Sequence, residues 1–128
     1  MFVTLENSIT QENIRKLVEV FYPTILADEL VAPFFVEKIG ADINTPEWQE
    51  HLELLSNFWA FVVLGDMTYT GSPLAPHFDM PGLSRQAFEQ WLFLFYQAVD
   101  KVYEPQVGQF FKQRSANIAE NFMRNLGL

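Results

Sequence analysis

Apolar residues recur at three-residue and four-residue spacing along almost the whole chain, and this pattern confines it to an all-α fold. The clearest helix begins at Thr45-Pro46-Glu47, which combines an N-cap, a proline at the first helical position and an acid in the first turn. Its apolar residues fall in one arc, namely Trp48, Leu52, Leu55, Phe58, Trp59, Val62 and Val63. Glu50 and Glu53 fall on the opposite side. The pattern predicts an amphipathic helix with one buried face.

The N-terminal part of the chain predicts another long helix, followed by turns. Either Ser8 or Thr10 can cap this helix. Its buried stripe is predicted at Ile14, Leu17, Val18, Phe21 and Ile25. Pro23 is expected to kink the helix or loosen one turn, because its ring clashes with the carbonyl four residues back. Residues 28–44 contain a proline, two phenylalanines and a glycine, and they predict short turns.

The C-terminal part predicts two more long helices. Ser84 caps the first of them, in which Phe93 and Leu94 are expected to point away from the buried side. That buried side is predicted at Phe88, Trp91, Leu92, Phe95, Val99 and Val102. Pro105 begins the last helix, whose stripe of Val107, Phe111, Ile118 and Phe122 is interrupted by Arg114. With a short helix near His77, the architecture comprises four substantial helices and one short one.

Length and charge limit the classes of function. A chain of 128 residues and 14.9 kDa fits a single domain spanning residues 1–128. The net charge of -8, without any Lys/Arg cluster, argues against nucleic acid and against membrane surfaces as partners. The start of the chain lacks a basic targeting region, and the longest apolar run is too short to span a bilayer, so we expect a cytoplasmic protein. Thirteen Phe residues exceed the usual need of a core this size, so some rings are expected to line a cavity.

The two histidines are the strongest candidates for chemistry. His77 lies in a stiff segment, Ser72 to Gly82, that contains three prolines, and His51 lies within the apolar arc of the clearest helix. Each alone is most often a core histidine whose ring is hydrogen-bonded to a carbonyl. Together, the spacing allows them to occupy opposite walls of one apolar slot.

The surrounding residues favour a metal held in a macrocycle over a bare metal ion. No Cys pair, H-E-x-x-H motif or carboxylate cluster completes a zinc site, whereas a planar macrocycle needs only one axial imidazole. By default Tyr22 buries its ring and leaves its hydroxyl in water, and Trp91 is a core residue, although either can aim a donor into the slot. Arg114 is by default half of an ion pair or a snorkelling side chain, with an anionic cofactor group as the alternative partner. The absence of G-x-S-x-G and of a phosphate loop weakens hydrolase interpretations.

The order and spacing of several short motifs resemble the group III truncated haemoglobins over nearly the whole chain. The motifs are Phe21-Tyr22, Phe35, Glu50-His51 before Leu55, Asn57-Phe58-Trp59, His77-Phe78-Asp79-Met80-Pro81 and Phe88-Glu89-Gln90-Trp91-Leu92. The resemblance implies a truncated globin fold, a two-over-two helical sandwich around a haem. Because the chain has no cysteine for covalent attachment, the cofactor is expected to be non-covalent haem b.

Roles for individual residues follow from this resemblance. It implies that His77 is the proximal iron ligand and that Tyr22, His51, Leu55 and Trp91 line the distal side. Phe35 and Phe58 are expected to contact the haem. Candidate cations for the propionates are Arg85, Arg114 and Lys38.

The resemblance implies a globin that reversibly binds O₂, NO or CO at a five-coordinate iron in a polar distal pocket. The alternatives are a haem enzyme, acting as an NO dioxygenase or a peroxidase, and a haem-free helical interaction domain. Expected partners are the diatomic gas and a reductase, and the expected state is a monomer or weak homo-oligomer.

Overall fold

The computed structural model describes residues 4–65, 77 and 80–128, and these residues form five helices. The helices are α1 (Gln11–Leu26), α2 (Ala32–Lys38), α3 (Pro46–Leu64), α4 (Arg85–Val102) and α5 (Pro105–Leu126). The long helices form two pairs, α1 with α3 and α4 with α5, and the pairs pack together through α1–α4 and α3–α5 contacts. The predicted all-α architecture is confirmed.

Local capping chemistry begins the long helices where the sequence predicts. Thr10, rather than Ser8, caps α1 in a reciprocal box: its hydroxyl accepts from the Asn13 N–H at 3.1 Å, and the Asn13 side chain accepts from the Thr10 N–H at 2.9 Å. The Thr45 hydroxyl caps α3 and the Ser84 hydroxyl caps α4. Pro105 is the first residue of α5.

One expectation for the N-terminal part needs correction. Helix α1 continues through the exposed Pro23 to Leu26, as its predicted stripe requires, and the proline lies in the last turn. Residues 28–44 are not turns alone, because they contain α2, in which Pro33 occupies the first turn. A proline in the first turn removes an N–H that has no partner within the helix, so it is compatible with a short helix there.

Two residues in the C-terminal helices also differ from the prediction. Phe93 is 56% exposed as expected, but Leu94 is buried against the core at 7% exposure. The stripe of α5 runs through Ser115, which is 1% exposed, whereas Arg114 is exposed. The Ser115 hydroxyl donates to the Lys112 carbonyl at 3.0 Å, so this small polar side chain can be buried between helices without an unsatisfied group.

An extended N-terminal segment packs against the α4–α5 connection. The Glu6 N–H donates to the Val102 carbonyl at 2.8 Å, and the Glu104 N–H donates to the Glu6 carbonyl at 3.0 Å. The Tyr103 hydroxyl donates to the Asn13 side chain at 2.7 Å. These bonds hold the segment before α1 against the far end of α4.

Most of the proline-bounded segment predicted around His77 lies outside the described residues. His77 itself and residues 80–82 are described. The short helix and the loop predicted between α3 and α4 also fall on that part of the chain. Among the helices of the described ranges, none has the length and apolar character needed to cross a membrane.

Candidate functional site

A cavity of about 500 Å³ lies between the helix pairs, and its walls are mostly apolar. Side chains from all five helices contribute to it, together with His77. Both histidines line this cavity. A second, polar concavity of about 360 Å³ lies near the start of α1 and contains neither histidine. The cavity between the helix pairs is therefore the candidate site.

One wall of the cavity centres on Tyr22, whose side chain is 3% exposed. Its ring centroid lies 5.7 Å from that of Phe35 and 6.1 Å from that of His51, with edge contacts in both cases. Burial raises the pKa of Tyr22 far above its ordinary value, and a hydrogen bond with the Trp91 side chain acts in the opposite direction. The hydroxyl therefore remains protonated at neutral pH.

Trp91 is the polar neighbour that acts on the Tyr22 hydroxyl. The indole N–H can only donate, so toward Trp91 the Tyr22 oxygen is the acceptor, and the hydrogen of the hydroxyl is available for another acceptor. Trp91 is itself held by stacking on Phe95, with ring centroids 5.1 Å apart and an interplanar angle of 14°. This wall presents a buried donor.

His51 lies beside Tyr22 on the same wall. Its ring centroid is 5.5 Å from that of Trp48, with the ring planes nearly perpendicular at 87°. The side chain is half-buried, and burial lowers the pKa of His51 below its usual 6.5. The imidazole is therefore neutral at pH 7, with one nitrogen that donates and one that accepts.

His77 lies on the opposite side of the cavity, among aromatic residues of α4 and α5. Its ring centroid is 4.9 Å from that of Phe122 and 6.2 Å from that of Phe88. The side chain is half-buried, and the His77 carbonyl accepts from the Met80 N–H at 3.3 Å. The two imidazoles thus face one cavity from walls built by different helices.

The cavity brings together most of the residues that the sequence singles out. Those lining it are Tyr22, Phe35, Lys38, His51, Leu55, Phe58, His77 and Trp91. Arg85 and Arg114 are not among the lining residues. Arg85 donates to the Leu128 carbonyl at 3.2 Å and lies 3.8 Å from the Glu120 carboxylate, and Arg114 is exposed on α5. Of the three candidate cations, Lys38 contributes to the cavity.

The sequence does not identify the remaining lining residues as part of a site. They are Val31, Phe34, Ile39, Leu54, Trp59, Met80, Leu83, Ala87, Phe88, Ser115, Ile118, Ala119 and Phe122. A side chain that faces a cavity and one that faces a packed core follow the same helical spacing, so periodicity does not separate them. The excess of phenylalanine was the available signal, and it is consistent with the Phe side chains found here.

The donor chemistry of the cavity fits a metal that brings its own equatorial ligands. Within the described ranges no group of three or more His, Asp or Glu side chains is placed to hold a bare ion. The cavity instead offers single imidazoles on two walls of an apolar space. One imidazole suffices as an axial ligand for a planar macrocycle.

Comparisons with known proteins give one clear relationship. No family model matches the chain. The chain is 38% identical over 119 residues to the group 3 truncated hemoglobin ctb of Campylobacter jejuni subsp. jejuni serotype O:2, and the match covers 93% of this chain and 92% of that protein. Its structure is similar to the crystal structure of a group III truncated hemoglobin from Campylobacter jejuni, with a TM-score of 0.89 and 36% identity over 96% of this chain and 95% of that one.

Proposed function

Since the chain belongs to the group III truncated haemoglobins, we propose that it binds haem b non-covalently and reversibly takes up a diatomic gas, O₂, NO or CO. The truncated globin fold expected from the sequence is confirmed by this relationship. The observation that carries the proposal is the single cavity with His77 on one wall and Tyr22, His51 and Trp91 on the other.

The cavity residues divide into those that hold the cofactor and those that face the gas. When bound, haem would supply an iron that takes up a diatomic ligand. His77 would hold the iron through its imidazole, and Phe35 and Phe58 would contact the macrocycle. The aromatic walls exclude water, which slows oxidation of the ferrous state.

We propose that Lys38, rather than Arg85 or Arg114, pairs with one haem propionate. Among the described residues, Lys38 is the cation that lines the cavity, and it lies in the last turn of α2. Haem carries two propionates, so one carboxylate would pair with Lys38 and the other would face solvent. An exposed ion pair contributes little free energy, and most of the cofactor affinity would come from the apolar walls and the axial imidazole.

Tyr22 would be the main donor to the gas ligand, and Trp91 would orient it. The Tyr22 hydroxyl is protonated and buried, and the Trp91 indole acts on it as a donor, so its own hydrogen can be donated into the cavity. One such bond contributes about 1 kcal/mol or more in a dry pocket, which slows release of the gas roughly fivefold to tenfold. His51, half-buried and neutral, would act as a gate or a weaker donor.

Optical spectra of the ferric, ferrous and CO forms test the cofactor assignment. We expect purified protein supplied with haem to give a strong Soret band and a five-coordinate ferrous form. His77→Ala should abolish or grossly weaken that form, whereas the matched His51→Ala should retain haem and change only the gas-binding rates. Unchanged ferrous spectra in His77→Ala would refute the axial role, and the lack of any Soret band in the wild type would leave a haem-free helical interaction domain.

The three polar side chains at one wall also favour a second function, that of an NO dioxygenase or peroxidase. Tyr22, His51 and Trp91 can together polarise a bound dioxygen or peroxide, which is the electrostatic contribution such chemistry requires. A reductase would then be a partner, because each turnover needs electrons. Stopped-flow mixing of the oxygenated protein with NO, and of the ferric protein with peroxide, measures both reactions. Absence of turnover with every reductant tried would exclude the enzymatic function.

A further inference from the structure

Helix α2 forms part of the cavity wall and, of the five helices, is the one without a buried residue. It has seven residues, none of them buried, and its start lacks a side-chain cap. Within the described ranges its main helix partner is α1. Nevertheless, Phe34, Phe35 and Lys38 of α2 line the cavity, as do Phe88 and Trp91 of α4. The position of a weakly packed helix thus sets one side of the cavity.

A single carboxylate, that of Asp28, links α2 to α4. One oxygen accepts from the backbone N–H groups of Leu30 and Val31, each at 3.0 Å, and so shapes the turn that leads into α2. The other oxygen accepts from the Gln90 side-chain amide at 2.8 Å, across 62 positions of sequence. Gln90 lies on α4 immediately before Trp91.

The geometry keeps Asp28 ionised. Burial acts to raise its pKa, but the hydrogen bonds from Gln90, Val31 and Leu30 outweigh that effect and hold the pKa of Asp28 below its ordinary value. Both carboxylate oxygens accept hydrogen bonds, one from the turn before α2 and the other from Gln90 on α4. A hydrogen bond to an ionised acceptor is stronger than one between neutral groups.

We propose that the Asp28–Gln90 pair is a latch that holds the α2 wall at a fixed distance from α4 and thereby limits the rates at which haem and gas enter and leave the cavity. The inference rests on the proposed haem-binding function. It assigns a positioning role to Asp28 and Gln90, because neither lines the cavity. The latch acts on Phe34 and Phe35 through the turn before α2, and on α4 at the position next to Trp91.

Substitutions of Gln90 test the latch while leaving the turn before α2 intact. Gln90→Leu removes the donor, and we expect haem loss and CO association to become about three to ten times faster, the scale of one partly exposed hydrogen bond to a charged group. Gln90→Lys keeps a donor opposite Asp28 and should restore rates near those of the wild type. Gln97→Leu makes the same chemical change at an exposed position of α4 and serves as the matched control.

A distance measurement separates a latch from a contact that only adds stability. The chain has no cysteine, so spin labels can be placed solely at Val36→Cys on α2 and Phe93→Cys on α4, both at exposed positions. We expect pulsed electron resonance to give a broader or longer distance distribution with Gln90→Leu, and the original distribution with Gln90→Lys and Gln97→Leu. A role in stability alone would lower the unfolding midpoint without changing the distances or the rates.

The outcomes distinguish the latch from the proposed function. Faster haem loss and CO association in Gln90→Leu, with a widened distance distribution, support the latch. Unchanged distances and rates in that variant, in a wild-type background that binds haem, overturn it. If the wild type binds no haem, the proposed function fails, and the distance measurement still decides whether Gln90 positions α2.

Discussion

Replacement of Tyr22 by phenylalanine removes the hydroxyl that we place at the centre of gas binding and keeps the ring. The ring packs among Phe21, Phe35 and Trp48 with centroid distances of 4.8, 5.7 and 5.7 Å, so Tyr22→Phe should preserve the wall. Loss of the donor should raise the O₂ dissociation rate roughly fivefold to tenfold, as expected for about 1 kcal/mol or slightly more. Replacement of O₂ by CO in a stopped-flow instrument measures this rate.

The same variant removes the Tyr22 oxygen on which the Trp91 indole acts. If Trp91 acts by orienting the Tyr22 hydroxyl, Trp91→Phe should speed O₂ release in the wild type and have little further effect in Tyr22→Phe. A double-mutant cycle should therefore show strong coupling between the two positions. Trp91→Phe retains an aromatic ring for stacking on Phe95, which limits unrelated structural change.

Tyr96→Phe is the matched control for this cycle. It also removes a tyrosine hydroxyl from the protein, but that hydroxyl donates to the Lys112 carbonyl at 3.0 Å and Tyr96 does not line the cavity. Its O₂ dissociation rate should equal that of the wild type. The donor role of Tyr22 is refuted if Tyr22→Phe releases O₂ within twofold of the wild-type rate, and the orienting role of Trp91 is refuted if the two substitutions are fully additive.

Three further predictions concern the cofactor, pH and packing. Lys38→Gln should speed haem transfer to an acceptor globin severalfold, whereas Lys101→Gln, an exposed change on α4, should not. Burial lowers the pKa of His51 in the folded protein. The stability contributed by its neutral form is therefore present above the pKa of the unfolded chain, near 6.5, and is lost as pH falls below that value. His51→Phe should flatten this pH dependence of the unfolding free energy, measured by denaturant unfolding. Gly108→Ala would bring a Cβ within 2.8 Å of the Val99 side chain and should cost about 1–3 kcal/mol of unfolding free energy, against little change for Gln109→Ala.

Features decided by a few neighbouring residues could be predicted from the sequence. The starts of α3, α4 and α5 depend on Thr45, Ser84 and Pro105, whose capping effects act within one turn. Which residues of a long helix face the core is harder to predict. Ser115 is buried because a small side chain fits between helices, whereas the spacing of the apolar residues placed the neighbouring Arg114 in the stripe as an interruption.

Features that depend on contacts between distant residues could not be predicted. Lys38 and Arg85 are equally plausible propionate partners in the sequence, and only the packing of α2 places Lys38 beside the cavity. Neither the Asp28–Gln90 bond nor the contact of Glu6 with the α4–α5 connection leaves a motif in the chain. The site residues Tyr22 and Trp91 could be named through resemblance to a family, but the burial of Tyr22 beside Trp91 required the structure.

Helices α1 and α2, which form parts of the cavity wall, differ in how deeply they are buried. We expect this difference to separate substitutions that alter gas release from those that alter access to the cavity. Tyr22 projects from α1, whose inner stripe is fully buried, so its hydroxyl is fixed while gas is bound. Helix α2 has no buried residue, and the turn before it is hydrogen-bonded to α4 through Asp28. Substitutions on α1 that remove a donor should therefore change mainly the release rate of the gas, and substitutions that loosen α2 should raise the rates of entry and release together. Affinity is the ratio of these two rates. A variant that combines Tyr22→Phe with Gln90→Leu should show nearly additive changes in the activation free energies of entry and release, since each substitution acts on a different step.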